Sequence, residues 1–426
     1  MTDRDVVIKG GTVLDASGER TADVVVRDGE VVAVGPDLSA EVTLDATGCV
    51  VAPGLVDLHT HLRQPGMEEA ETVESGSRAA ALGGYTCVLA MPNTTPAIDC
   101  ASVVREVQEL GRTALCRVEV TGAITVGRAG ERLSPMAEMA ELGVRIFTDD
   151  GTGVQDARLM RRALEYAGGL GATLAQHCEV TALSEGTCMN EGEWSSRLGL
   201  AGQPAEAEEL MVMRDIALSR LTGTRVHFQH LSTAGSVAMV AAARASGLPV
   251  TAEAAPHHFT LTDERCSTYD AVYKVHPPLR TENDRVAVAS GLRDGTIDAI
   301  ATDHAPHPAN LKERPFDQAP PGMLGLEYAL ALALTELELP LAEVLALLSW
   351  RPAAIAGVVE AHGGPIEAGR PANLCVIDPH AEWTIDGSGG ASRSSNVPYV
   401  GRTVRGRVRH TVCAGEAVVV DGQPRR

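Results

Sequence analysis

The stretch Ala52-Pro53-Gly54-Leu55-Val56-Asp57-Leu58-His59-Thr60-His61-Leu62-Arg63 decides how this chain is read. It is an apolar, β-rich run that ends in two histidines two residues apart. Side chains alternate across a strand with a period of two, so His59 and His61 share one face. In a closed barrel that face is the interior, and the C-terminal strand ends are where barrel enzymes place their chemistry. Two imidazoles there suit chelation of one divalent metal. A pair of hydrogen-bonded structural histidines is the plainer alternative.

Working outward, seven more apolar runs follow: GYTCVLAMP, CRVEVTGAIT, VRIFT, ATLAQHC, RVHFQH, PVTAEAA and TIDAIAT. Helical stretches lie between them, among them 102–110, 156–166, 205–221 and 235–245. Eight strands alternating with helices predict an α/β fold, a (β/α)8 TIM-like barrel. An open doubly wound sheet is disfavoured because no GxGxxG fingerprint opens a helix. Both ends read differently. Asp28-Gly29 between two valine-rich runs is a hairpin signal, and the tail returns to short strands around a Gly/Ser-rich stretch at 386–395. The ends are expected to pair, giving a composite β-sandwich from 1–53 plus 361–426 and a metal-binding barrel over 54–360. The apolar stretch 326–348 is interrupted by Glu327, Glu336, Glu338 and Glu343 and broken by Pro340, so it reads as two packed helices.

The chain has 426 residues, with 36 Lys+Arg against 56 Asp+Glu and a net charge of −20. That balance argues against nucleic-acid binding, which requires basic surfaces for phosphates. No apolar run is long enough for a membrane span, and the charged opening lacks a signal-peptide core. Nine cysteines without CxxC pairing read as reduced thiols in a cytoplasmic protein. Only three lysines occur, Lys9, Lys274 and Lys312, and ten of the 13 histidines fall between His59 and His307.

Further candidate ligands sit at later strand ends: Asp149-Asp150 after VRIFT, His177 after ATLAQ, His230 after RVHFQ and Asp303 after IDAIAT. Singly, each has a structural explanation. Together they put four imidazoles and two carboxylates on one barrel rim.

These features resemble the amidohydrolase superfamily. The motifs APGLVDLHTHLRQPG, AMPNTTP, FTDDGTGVQ, AQHCE, HLSTAGS, KVHPPLR and IATDHAPH are similar to class I dihydroorotases along essentially the whole chain. The resemblance implies a metal-dependent hydrolase that interconverts (S)-dihydroorotate and N-carbamoyl-L-aspartate, the third step of de novo pyrimidine synthesis. It implies two divalent ions per chain, with zinc first among them, that activate a hydroxide. His59, His61 and Asp303 would hold one ion, His177 and His230 the other, and Asp150 would bridge them. Many relatives bridge with a carboxylated lysine, but none of the three lysines here lies at a strand end. Asp303 would also shuttle the proton. His61, Arg63, Asn93, His276, His307, Pro321 and Gly322 would contact substrate, Arg63 as the bidentate partner of its carboxylate.

Three positions depart from the family pattern: His276 stands where Asn is usual before PPLR, Pro321 removes a backbone N–H, and Gln64 replaces a common Glu. The segment 305–325, rich in Pro and Gly, reads as a mobile lid. A homodimer and an association with aspartate transcarbamoylase are the partner expectations. The competing functions are another cyclic-amide hydrolase, such as a hydantoinase or allantoinase, and a non-catalytic scaffold for aspartate transcarbamoylase.

Overall fold

Gly54 is where the chain passes from one layer to the next. Residues Val50–Pro53 pair with Leu374–Thr384 and with Thr12–Asp15, whereas Leu55–Thr60 pairs with Tyr85–Ala90. The run read from sequence as one strand is therefore two strands in different sheets. A Cβ at Gly54 would lie 2.2 Å from the Thr86 side chain, so the crossing tolerates no larger residue.

The computed structural model describes residues 5–387 and 390–425; Ser388 and Gly389 of the Gly/Ser-rich stretch lie outside them. The barrel strands are β1 (Leu55–Thr60), β2 (Tyr85–Ala90), β3 (Arg117–Val120), β4 (Ile146–Phe147), β5 (Thr173–Gln176), β6 (Val226–Phe228), β7 (Val250–Ala254) and β8 (Ala299–Ile300). Neighbours pair in parallel as β1-β2-β3 and as β4-β5-β6-β7-β8. Parallel bridges Gly122↔Phe147 and Thr60↔His304 join the two arcs into a ring. β1 and β2 are buried on both faces, which is why their sequences are nearly continuously apolar, whereas β3, Arg-Val-Glu-Val, alternates and leaves Arg117 exposed. Outside the ring lie α1 (Val73–Leu82), α2 (Ala101–Gly111), α3 (Met136–Ala140), α4 (Ala157–Gly169), α5 (Glu206–Thr222), α6 (Ala234–Ala245), α7 (Glu282–Asp294) and α8 (Ala329–Glu336).

The ends of the chain form a seven-stranded and a four-stranded sheet. Ile8, Val13, Val24 and Leu44 from the beginning meet Leu374, Val376 and Val412 from the end in one core. The architecture is a (β/α)8 barrel with a β-sandwich built from both termini. Asp28 and Gly29 turn the hairpin between Asp23–Arg27 and Glu30–Gly35 with φ of 50° and 85°, the positive pair that a two-residue type I′ turn demands. Pro340 separates α8 from Leu341–Leu345, and no helix among the described residues is long and apolar enough to cross a membrane.

Candidate metal and substrate site

His59 is the penultimate residue of β1 and His61 follows its end, and both point inward as the alternation requires, 0% and 6% exposed. Each is oriented from behind. His59 Nδ1 donates to Glu253 Oε1 at 2.9 Å, and His61 Nδ1 donates to Asn93 Oδ1 at 2.9 Å. A proton fixed on Nδ1 leaves the Nε2 lone pair of each ring facing the centre. There, His59 Nε2 lies 3.2 Å from Asp150 Oδ1, and His61 Nε2 lies 3.6 Å from Asp150 Oδ2 and 3.1 Å from Asp303 Oδ1.

Asp150 faces the other two rings as well. Its Oδ1 is 3.6 Å from His177 Nδ1 and 3.8 Å from His230 Nε2, and those two nitrogens are 2.9 Å apart. The adjacent Asp149 turns the opposite way and accepts from Thr125 N at 3.0 Å and from its hydroxyl. One acid of the pair braces a loop while the other sits among four imidazoles. His59, His61 and Asp150 form one group able to hold a metal ion, and Asp150, His177 and His230 form a second. The buried His59 Nε2, which faces Asp150, has no hydrogen-bond partner. Buried imidazole nitrogens converging on shared carboxylates are the donor set that Zn²⁺, Mn²⁺ or Co²⁺ accepts, so the residues fit divalent metal.

The electrostatics match. Burial disfavours charge on Asp150, but His59, His177 and His230 outweigh it and hold the carboxyl well below its usual range. Burial likewise opposes ionisation of Asp303, yet hydrogen bonding by His61 and the charge of His59 lower its pKa. Burial works against a proton on His177, while Asp150 and Glu179 raise its pKa to about 10. Burial pulls Arg63 down to about 10, which leaves it cationic at neutral pH.

A cavity of about 210 Å³ opens onto this cluster, lined by His61, Arg63, Asn93, Asp150, His177, His230, His276, Asp303, His307, Pro321 and Gly322 among others. The structure thus brings every substrate position expected from the sequence to one pocket. Arg63, at φ 60°, is fixed by donation from Nε to Pro306 O at 3.2 Å. Asn93 is more occupied than the sequence suggested. Its Oδ1 accepts from His61 and its Nδ2 donates to Asp150 Oδ2 at 3.0 Å, which leaves one N–H for a ligand.

Three further residues, Glu253 and His257 buried and Glu179 half-buried, take part without having been singled out by the sequence. Glu253 orients His59 and accepts from His227 Nε2 at 3.0 Å, so His227 supports the site at one remove. Its signal was an acid inside the apolar strand β7. Glu179 lies 3.5 Å from His177 Nε2 and 4.0 Å from His276 Nδ1, linking the two. His257 brings an unpartnered Nε2 to 3.9 Å from Asp303 Oδ2.

The 305–325 segment is packed, not free. Phe316 and Ala319 are buried against Cys188, Met189 and Cys266. Lys312 Nζ donates to Pro320 O at 3.0 Å and Gly322 O at 3.1 Å, and reaches Lys274 O at 3.4 Å. This ammonium ties the Pro321-Gly322 strap to the segment that carries His276. Lys312→Met leaves those carbonyls without their donor, a loss of about 1–3 kcal/mol. The expected result is a KM roughly tenfold higher, a smaller change in kcat and faster amide exchange over 320–324. Unchanged KM and exchange would show that the strap holds without the lysine.

The dihydro-orotase-like family matches residues 48–236. A dihydroorotase of Streptomyces coelicolor is 49% identical over 427 residues, covering 98% of this chain and 99% of that protein. One of Mycobacterium tuberculosis is 47% identical over 96% of this chain and 97% of its own. The chain belongs to the dihydroorotase family. It is accordingly a metal-dependent cyclic amidohydrolase. The same fold occurs in an L-hydantoinase from Arthrobacter aurescens, at TM-score 0.88 and 23% identity over 99% of this chain and 97% of that one. A D-hydantoinase from Bacillus sp. AR9 superposes at TM-score 0.87 with 26% identity, covering 99% of this chain and 96% of its own.

Proposed function

We propose that the chain interconverts (S)-dihydroorotate and N-carbamoyl-L-aspartate in the pocket above Asp150, within a barrel spanning 54–360. The observation that carries this reading is the convergence of a cationic anchor, Arg63, with Asp303 and the two imidazole–carboxylate groups on one cavity. His59, His61 and Asp303 would hold one divalent ion and His177 and His230 a second, with Asp150 shared between them and zinc the metal in both places. Bound there, the ions supply positive charge that polarises the ring amide and acidifies a water molecule.

The remaining work falls to the chain's own side chains. Arg63 pairs with the ring carboxylate through two parallel N–H donors, and the free N–H of Asn93 adds a third. This orients the ring with its scissile amide toward Asp303. Asp303 accepts the proton of the attacking water and returns it to the departing amide nitrogen as the C–N bond breaks. In the closing direction the same carboxylate takes a proton from the ureido nitrogen as the C–N bond forms and passes it to the carboxyl oxygen, which leaves as water when its C–O bond breaks. His276, His307 and the strap at Pro321-Gly322 line the opposite wall and exclude water.

Purified enzyme loaded with zinc should turn over dihydroorotate with kcat/KM at least about 100-fold above hydantoin or allantoin, since a buried guanidinium without its carboxylate is penalised. Equal turnover of the three rings would remove dihydroorotate as the substrate.

His276 offers a separate check. Its Nε2 is buried without a partner, and burial, opposed by Glu179, lowers its pKa. The ring is therefore neutral at assay pH and protonates below the ordinary imidazole range, where it becomes a donor at both nitrogens. Falling pH should raise KM for the parent enzyme but not for His276→Asn, with kcat little changed. Superimposable pH profiles would take His276 out of the substrate wall.

A further inference from the structure

Thr384 and Thr403 face each other at the ends of two antiparallel sandwich strands, Leu374–Thr384 and Thr403–Cys413. A turn of a few residues would join such ends, yet the chain leaves the sheet and runs through 385–402 before returning. Connections of that length are uncommon without a function. Residues 391–394 are fastened to the barrel. Ala391 N donates to Glu327 Oε1 at 2.9 Å, Arg393 N to Glu71 Oε1 at 3.2 Å, and Ser394 Oγ to Ala70 O at 2.8 Å. Glu71 is fully buried and also accepts from the Ser392 hydroxyl and from His304 Nε2 at 3.3 Å.

These anchors deliver one side chain to the back of the substrate pocket. Asn396 is 4% exposed. Its Oδ1 accepts from His307 N at 3.2 Å, and its Nδ2 donates to Ala305 O at 2.9 Å and to Gly322 O at 3.0 Å. One N–H on one side and two carbonyls on the other leave the amide a single orientation. What it holds is the substrate wall. Ala305 and His307 flank Pro306, whose carbonyl accepts from Arg63 Nε. His307 Nε2 donates in turn to Pro321 O at 2.8 Å, next to Gly322. One buried amide therefore ties together the two segments that seat Arg63, His307 and the strap.

We infer that Asn396, supplied from outside the barrel by the sandwich, is a positioning residue for substrate: by clamping 305–307 to the strap it sets where Arg63 and His307 meet the bound ring. Asn396 does not itself line the cavity, so it acts only through those residues. The inference rests on the reading of this pocket as the dihydroorotate site. The end of β8 that carries Asp303 is held separately, by donation from Thr302 N at 2.8 Å and Thr302 Oγ1 at 2.6 Å to Asp57. Loss of the clamp should therefore reach substrate binding before it reaches proton transfer.

Two variants break the clamp differently. Asn396→Ala removes all three bonds. Asn396→Asp keeps the shape and an oxygen for His307 N, but turns the second oxygen on two carbonyls. Both should raise KM for dihydroorotate by about tenfold or more and leave kcat within a few-fold, the pattern of binding shared by ground and transition states. Amide exchange in the substrate-free enzyme separates the bonds. The His307 amide should be protected in the parent, released in Asn396→Ala and still protected in Asn396→Asp, while 322–324 loosen in both variants. Thr411→Val, which removes a buried bond to Ala81 O inside the sandwich, is the comparison for a purely structural loss. It should lower Tm and leave KM and His307 exchange alone. Parental KM and parental exchange in folded Asn396→Ala overturn the inference. So does a kcat that falls as far as KM rises, and so does a parent whose His307 amide exchanges freely, which needs no variant to fold. A parent that turns over no dihydroorotate would refute the substrate assignment instead, and the exchange measurement would still decide the clamp.

Discussion

Asp150→Ala should lower kcat/KM by far more than the roughly 10–100-fold that loss of a mere outer-shell partner of a metal ligand causes, and metal content should fall from about two ions per chain to one or fewer. The reason is geometric. A single carboxylate lies within 3.8 Å of ring nitrogens from His59, His61, His177 and His230, so no other side chain replaces it. Without it, two adjacent cations would face each other across neutral imidazoles with no anion between them. Asp149→Asn is the internal control. Asp149 braces Thr125 and does not face the rings, so that variant should keep its metal and most of its activity. Metal analysis beside steady-state kinetics decides. An Asp150→Ala enzyme with two ions and parental activity would refute the shared-carboxylate role.

Asp303→Asn should depress kcat by about 10²–10⁴-fold, the usual loss when a general acid–base is removed. Asn keeps the shape and one oxygen toward His61 Nε2, at the place where Asp303 Oδ1 sits 3.1 Å away, so the fold and much of the metal content should survive. What is lost is the capacity to take a proton, because the amide oxygen is far less basic than a carboxylate. KM should change less than kcat, as the proton is transferred only in the reaction itself. Turnover within a few-fold of the parent would mean that another base operates. His257, 3.9 Å from Asp303 Oδ2, would be the first to examine.

The two variants also show which parts of the site were readable in one dimension. Asp150 and Asp303 could be named because each closes a short apolar run, and strand ends on one barrel rim converge whatever the sequence between them. Choosing Asp150 over Asp149 was a different matter. Adjacent residues face opposite ways, and the sequence alone is symmetric between them until the ring of strands is closed. The resemblance supplied that choice, and the Thr125 contact of Asp149 explains it physically.

The sequence by itself determined the barrel, the sandwich joining both ends and the inward pair at His59 and His61. Those follow from periodicity, turn chemistry and strand order, which are local properties of the chain. Only the tertiary structure decided that Glu253 and Asn93 orient the two histidines, that Glu179 joins His177 to His276, and that Lys312 pins a strap the sequence suggested was loose. The decisive contacts among these join distant residues: His59 with Glu253, 194 positions apart, His61 with Asn93, 32 apart, and Lys312 with Lys274, 38 apart. A partner at that separation is selected by how strands and helices close around the core. No pattern within a window of the sequence contains that information.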